Sequence, residues 1–585
     1  MRTGTLGVNL SGLLPIIRRY LYTHSDVFLR ELIANGVDAC QKLLAISSAE
    51  GLSISADQLK VEILVYPAKR QLVIRDNGIG MTEEEVERFL TVIAASSARE
   101  FAEKYKEADI IGFFGMGFYS AFMVAEKVEV LTQSYREGSQ AVRWVGDGTE
   151  TYQIEPAERP EGRGTTVTLY LSKEYDEYAQ VWKVRQVAEK YARFLSIPIL
   201  VEGASINQKP LWRQHPTQVT SEEYKRFYQL LYPGRPEPVF YVHLNIDYPV
   251  NLQGILYFPP LRPEMVIEKN TLSLYVRGMF ITDQLSEILP PYFELLHGAI
   301  ESADIPLNVS RSQLQVDPTV RKISQYISRK VAEKLKELAD SDRQAYEKVW
   351  DSVGPFVKYG MVRDEEFAKR VKDIALVKST TGEFFTLSEY KARISSVKDP
   401  RGYAVGFYVN DMKKQGALSQ LFQAKGHTVI VADTVIDPYW LSHIESSEGV
   451  RFLRVDAEEA AKWLEESDAG GALTLEEIKT VKEALERLVK VKVEPQAMGE
   501  KGMAALLLRE ESHRRLYEAT LQGSVPLPSR LIFNTQHPIY RRYLLTQDIR
   551  WLEHAVDWAR LLNGDLGESE LQAFLQRDWS LLSGS

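Results

Sequence analysis

Glu31, Asn35, Asp38 and Lys42 stand on the stretch FLRELIANGVDACQK, spaced three or four residues apart. At 3.6 residues per turn they fall within an arc of about 60°. Two carboxylates, an amide and an amine gathered on one stripe can floor a binding site, or can be the wet face of a surface helix. Leu29, Leu32, Ile33, Val37, Cys40, Leu43 and Leu44 fill the opposite side, the pattern of an amphipathic helix packed on a core. Gly36 sits on that apolar side, where a missing side chain lets another backbone come close. Taken alone, the segment favours the solvated face.

Three further stretches carry chemistry. In IRDNGIGMT a strand delivers Asp76 into a turn whose Gly78 and Gly80 permit positive φ and close approach of a ligand. A carboxylate there can accept a hydrogen bond from an exocyclic amine, while Ile79 and Met81 offer apolar contact to a flat ring. The alternative is a plain Asp-Asn-Gly hairpin turn. In IGFFGMGFYSAF, Gly112, Gly115 and Gly117 precede an apolar helical pattern, so their backbone N–H groups can cradle phosphates. Such loops also serve as packing turns, and no Lys-Ser/Thr follows as it would in a P-loop. In GRGTTVTLYL, Thr165 enters a strand and by itself marks only its start.

The elements that must position these residues belong to a large chain. Its 585 residues exceed what one core supports, which predicts three or four domains. Apolar content of 44% and charged content of 26% are those of a soluble globular protein, and a net charge of −9 argues against a dedicated nucleic-acid binder. The single cysteine, Cys40, suits a reducing compartment and reads as a small buried hydrophobe. No apolar run spans a bilayer and the N-terminus lacks a secretory pattern, so a cytoplasmic address with no membrane is expected. VEILVYPAKRQLVIRDNG reads as a hairpin turning at Pro67-Ala68-Lys69, and KVEVLTQSY, AVRWVG and GTTVTLYL as further strands. This order predicts an α+β sandwich on a mainly antiparallel sheet over 1–208. The polar stretch NQKPLWRQHPTQVTSEEY suggests a linker at 209–222, then a mixed region over 223–470. After the Gly-rich SDAGGALT, a helix-rich region spans 471–585, where Thr474 and Glu477 form a capping box.

Taken in order, the acidic helix, the D-x-G-x-G turn, the glycine-rich segment and the Gly-Thr strand resemble the Bergerat-type ATP site of DNA gyrase, histidine kinases, MutL and the 90-kDa heat-shock proteins. FLRELIANGVDA, IGFFGMGFYSAFMVAEKVEV, LWRQHPTQVTSEEYKRFYQLL, LYVRGMFITDQ and SADIPLNVSRSQLQ look like the last of these families, in its bacterial type. The likeness runs from about Ser11 to Leu582 and is weakest over the last hundred residues or so.

The resemblance implies an ATP-dependent chaperone: an N-terminal ATPase domain, an α/β middle domain and a C-terminal dimerisation domain. It implies that Glu31 orients the attacking water and that Asn35 holds Mg2+. Asp76 would take the adenine amino group with support from Thr165. Asp38, Lys42, Gly80, Met81, Gly112, Gly115, Gly117 and Phe118 would complete the nucleotide contacts. Arg311 and Gln315, in PLNVSRSQLQ, match a catalytic loop that reaches the γ-phosphate when domains close. Partners would be unfolded or partly folded clients and a second copy of the chain. The ending RDWSLLSGS lacks the acidic tail that docks repeat-containing co-chaperones, which suits the bacterial type. QAMGEKGMAALLL reads either as adaptable client contact or as a core helix.

Departures from the family pattern matter. Phe89, Ala95 and Ser97 stand where Asn, Lys and Gly are usual, Phe113 replaces a glutamine, and Ser312 replaces a glutamate. A lost lysine near phosphates weakens an electrostatic contact. The alternative function is therefore a nucleotide-gated, protein-binding scaffold with little hydrolysis.

Overall fold

Alternating apolar residues in VEILVY and QLVIRD dictate two strands, and a proline-led turn joins them. In the computed structural model these are β1 (Val61–Tyr66) and β2 (Gln71–Asp76), antiparallel with Val61 opposite Asp76. The turn Pro67–Lys69 is a single 3-10 turn that closes on Arg70 at φ 47°. Residues 25–51, 53–92, 101, 111, 115–149, 151–248, 251–260, 272–285, 289–305, 318–465, 472–509, 529–563 and 565–583 are described. The chain divides into two compact units, 1–259 with 267–327 and 260–266 with 328–585.

In the first unit β1 and β2 join β3 (Ala125–Gln133), β4 (Ala141–Gly146), β5 (Tyr152–Ala157), β6 (Gly164–Leu171), β7 (Ile199–Val201) and β8 (Ala204–Ser205). They form one sheet in the order β5-β4-β3-β6-β2-β1-β7-β8, antiparallel except where β1 meets β7. The predicted hairpin and the three further predicted strands are all present. Period two along β2 puts Leu72, Ile74 and Asp76 on the same, buried side, so the carboxylate at the strand end is carried inward by its apolar neighbours.

The helix α1 (Val27–Glu50) runs past the end of this sheet and stops at Gly51, φ 71°. It buries Val27, Phe28, Leu29, Leu32, Ile33, Val37, Leu43 and Ile46. At about 1.5–3 kcal/mol for each fully buried side chain, that stripe anchors the helix firmly enough to carry polar groups inward with it. Gly36 packs as the sequence suggested, but against side chains: a Cβ there would lie 3.0 Å from Val61 Cγ2 and 3.5 Å from the Asp76 Cβ. Cys40 is fully buried, and burial raises its thiol far above the ordinary range. The helix α2 (Glu83–Leu90) begins at Thr82, which makes a capping box with Glu85, and α3 (Val181–Ala192) packs against α1.

The polar stretch around 209–222 is ordered. Trp212 is fully buried against Phe194, with ring centroids 4.7 Å apart, and its indole N–H donates to Glu301 at 2.6 Å. Arg213 grips the same carboxylate through Nε at 2.8 Å and Nη2 at 2.6 Å, and the Gly278 N–H adds a fourth donor at 2.6 Å. These donors hold the Glu301 carboxyl below its usual range in spite of its burial. The helix α4 (Ser221–Leu231) then starts on a second capping box, Thr220 with Glu223. β9 (Phe240–Ile246), β10 (Leu252–Phe258), β11 (Leu272–Val276), β12 (Met279–Thr282) and β13 (His297–Glu301) form a second sheet in the order β12-β11-β13-β10-β9.

The second unit holds β14 (Leu376–Ser379), β15 (Phe384–Thr386), β16 (Ala404–Val409), β17 (Val429–Val431) and β18 (Val450–Arg454), with β16 paired in parallel to both β17 and β18. Lys358 and Asp437 make a buried ion pair at 2.6 Å beside this sheet. The helix Leu475–Leu488 carries the predicted Thr474–Glu477 box. The helix-rich region also contains a three-stranded sheet of β19 (Lys492–Gln496), β20 (Ala505–Arg509) and β21 (Ser529–Asn534). Leu506 and Leu508 on β20, together with Met498, are buried in core. The run QAMGEKGMAALLL is therefore neither a helix nor an open contact surface at those positions.

Candidate active site

The polar stripe of α1 is not a wet face. Glu31 is 3% exposed, and Asp38 and Lys42 are buried as well. From Val27 to Ser47 a single residue is exposed, and it is Asn35. Solvated polar faces do not look like this: the charged groups are sunk and the neutral amide between them is open.

Each sunk group has a partner. Arg30, itself buried, binds the Glu31 Oε1 through Nη2 at 2.8 Å and Nε at 3.1 Å. The Oε2 of Glu31 faces Gly117, where a Cβ would lie only 2.5 Å from it. The carboxylate is thus clamped on one oxygen and turned towards the glycine-rich segment with the other. Asp38 accepts the backbone N–H of Ile111 at 2.7 Å, which ties α1 to the residue preceding Gly112. Burial pushes the Lys42 ammonium below its ordinary range, opposed by the charges of Asp38 and Glu85.

The D-x-G-x-G turn lies against the same helix. The Ile79 N–H donates to the Ala39 carbonyl at 3.1 Å, and the Ile79 carbonyl accepts from the Tyr135 N–H at 2.9 Å. A Cβ at Gly78 would strike the Ala39 backbone at 2.5 Å. Gly80 sits at φ 63°, where a Cβ would run into the Gln133 carbonyl oxygen, so the turn needs glycine twice over. Asp76 is buried and accepts the Gly78 N–H at 2.9 Å. Burial raises its carboxyl to about 7, against the pull of the Gly78 N–H and the Arg159 charge.

Asp76 stands opposite Thr165 on β6, and Thr165 stands opposite Thr132 on β3. The three side chains are therefore abreast across neighbouring strands. The Thr132 hydroxyl lies 3.0 Å from that of Thr165, accepts the Met81 N–H at 3.0 Å and donates to the Gly164 carbonyl at 3.1 Å. Beyond the turn, Gly115 is at φ 66°, and the predicted helix after the glycines is a seven-residue 3-10 segment, Gly117–Met123. The chain then enters β3 at Ala125. Phe118 is half-buried, its ring edge-on to Trp144 at 5.6 Å.

The structure thus brings together Glu31, Asn35, Asp38 and Lys42 on α1, Asp76, Gly80 and Met81 on the turn, Gly115 just before the 3-10 segment with Gly117 and Phe118 on it, and Thr165 on β6. Gly112, Arg311 and Gln315 lie outside the described residues, as do Ala95, Ser97, Phe113 and Ser312. Phe89 is half-buried, with the Arg88 guanidinium 5.2 Å from its ring centre. Sequence reasoning missed Arg30, Thr132 and Arg159. A cation next to a candidate catalytic acid was a usable signal for the first, but nothing in the sequence marked the other two.

A buried carboxylate at a strand end, a turn pinned by two glycines, and an exposed amide on a buried stripe fit a nucleotide-binding ATPase of a particular class. Residues 22–158 match the family described as histidine kinase-, DNA gyrase B- and HSP90-like ATPase, and residues 202–501 match Hsp90 protein. The chaperone protein HtpG of Porphyromonas gingivalis is 38% identical over 93% of this chain and 84% of its own length. That of Bacteroides fragilis is 37% identical over 94% and 85%, and that of Roseobacter denitrificans 33% identical over 79% of each. The chain belongs to the Hsp90 family and is an ATP-dependent molecular chaperone of the HtpG type. No helix among the described residues is long and apolar enough to cross a membrane.

Proposed function

We propose that the site around Asn35 binds ATP with Mg2+ and that Glu31 orients the water that attacks the γ-phosphate. The observation that supports this most directly is that Asn35 alone is exposed between Val27 and Ser47, one turn from the clamped carboxylate of Glu31. A neutral amide oxygen suits Mg2+, which keeps most of its ligands as phosphate and water and takes few from protein. When bound, the ion neutralises charge on the phosphates. Arg30 fixes one Glu31 oxygen, so the other is held towards the glycine-rich segment without a search through rotamers. Asp76 accepts the adenine amino group, Thr165 and Thr132 hold the adjoining turn, and Gly80 and Met81 flank the base. Asp38, Lys42, Gly112, Gly115, Gly117 and Phe118 shape the phosphate end, and Arg311 and Gln315 complete it.

In the same reading, residues 1–208 are the ATPase domain, 209–222 a linker, 223–470 the middle domain, and 471–585 the dimerisation domain. The chain works as a homodimer on unfolded or partly folded proteins, without nucleic acid. A cytoplasmic setting is supported by its single, buried cysteine. Steady-state phosphate release and ATP titration of wild type and Glu31→Gln test the core of this. Gln keeps the shape, so binding should persist while turnover falls by about 10²-fold or more. If both proteins bind and neither turns over, the chain is a nucleotide-gated scaffold. If Gln leaves turnover unchanged, Glu31 has no catalytic part.

A further inference from the structure

Behind Asp76 lies a guanidinium that the roles above do not use. Arg159, in the turn before β6, is 5% exposed. Its Nη2 donates to the Asp76 backbone carbonyl at 3.0 Å and towards the Thr166 hydroxyl at 3.4 Å. Its Nη1 donates to the Arg163 carbonyl at 2.7 Å and to the Gly162 carbonyl. All four acceptors are neutral, and its Nε is buried without a partner. Hydrogen bonding is thus largely satisfied while the charge is not, and an uncompensated buried cation is costly.

The charges that can answer it are few. Glu161, in the same turn, is engaged by Arg75 at 2.9 Å, and Arg75 is shared in turn with Glu62 at 2.7 Å. From α1, Cys40 faces Asp76, but its thiol is held neutral by burial; Arg163 acts on that thiol. That leaves the Asp76 carboxylate, attached to the residue whose carbonyl Arg159 already holds. Gly164, at φ 117°, lets the loop close onto that carbonyl, where a side chain would collide with it.

We infer that Arg159 is a specificity-determining positioning residue, whose charge keeps Asp76 an ionised acceptor so that the pocket takes 6-amino purines and turns away 6-oxo purines. This rests on the reading of Asp76 as the base-contacting group. An ionised carboxylate can only accept, which matches an amino group and sets two acceptors face to face with a 6-oxo group. A protonated carboxyl can donate to the oxo group, and discrimination is lost. Burial drives Asp76 towards that protonated form, and Arg159 opposes it.

The test is equilibrium titration of the full chain with ATP and with inosine triphosphate, both with Mg2+, for wild type, Arg159→Gln and Arg159→Lys. Gln keeps donors for the carbonyls and removes the charge. If Asp76 becomes a tenfold weaker acid, its ionised fraction near pH 7 falls from about one half to about one tenth. ATP binding then weakens about fivefold, with no matching loss for inosine triphosphate. Raising the pH to about 8.5 should restore most of the preference in Arg159→Gln, and in Arg159→Lys the preference should rise with pH through about 7 as it does in wild type. A merely structural arginine would lower both affinities together and leave their ratio flat with pH, which overturns the inference. If Gln does not fold, the Lys variant and wild type remain: a ratio flat across pH in both also overturns it. Should wild type show no preference and Asp76→Asn change neither affinity, the base-contact reading fails first, and this inference with it.

Discussion

Asp76→Asn should stabilise the ligand-free protein, and by an amount that depends on pH. The Asp76 carboxyl titrates near 7 in the fold, against about 3.9 for an unperturbed aspartate. Below about pH 4 it is protonated in both folded and unfolded chains and costs nothing. As pH rises the unfolded chain releases its proton first, so folding loses about 1.4 kcal/mol for each pH unit until the folded group also ionises near 7. The total is about 4 kcal/mol, of which about 2 kcal/mol accrues between about pH 5 and 7. Asparagine is neutral throughout, fits the same space, and can still accept the Gly78 N–H through Oδ1. Hydrogen exchange of the full chain, followed on strands 71–76 and 164–171 at several pH values, reads the local free energy of opening. The mutant should gain on wild type steadily from about pH 5 to 7 and hold that gain above it. A difference that stays flat across this range would mean that Asp76 ionises normally, and the account of its burial would be wrong.

Other outcomes are as direct. Asn35→Ala should change stability by no more than about 0.5 kcal/mol, since the residue is exposed, while ATP–Mg2+ affinity measured by calorimetry drops at least about tenfold. Unchanged affinity would remove α1 from the site. Gly80→Ala should cost about 3 kcal/mol or more, because φ 63° and the Gln133 carbonyl both oppose a Cβ, and it should abolish nucleotide binding. A normally folded, ATP-binding variant in thermal melts and titration would refute the turn geometry. On the last helix, Glu568–Ser583, Leu575 and Trp579 are 56% and 74% exposed, whereas Leu552 and Leu562 are buried in core. Leu575→Glu with Trp579→Glu should therefore weaken the proposed dimer in sedimentation without unfolding the region. A variant that still sediments as a dimer would put the interface elsewhere.

Much of this was legible in the sequence because it is local. The 61–76 hairpin follows from period-two alternation around a proline turn, and the Thr474 cap from two residues three apart. The α1 stripe was legible as an arc but not as a buried one, because burial there depends on what the rest of the chain lays over it. Thr132 looks like any strand threonine, and its hydroxyl acquires meaning only when β3, β6 and the 76–81 turn come side by side. Arg159 reads as loop charge in ERPEGRG, and only the approach of the β2 end makes it a buried neighbour of Asp76. The helix predicted after the glycines forms instead as a 3-10 segment that leads directly into β3 at Ala125. The three-stranded sheet in the last region escaped because β19 pairs in parallel with β21, more than thirty residues away.

The contact between Glu31 and Gly117 has a genetic consequence. A methyl at 117 would press on the far oxygen of Glu31 and turn the carboxylate away, so the two positions are coupled. A selection for suppressors of Gly117→Ala should return chains with a shorter residue at 31, aspartate or alanine, before it returns changes anywhere else. Such revertants would relieve the contact and lose the reach of the carboxylate.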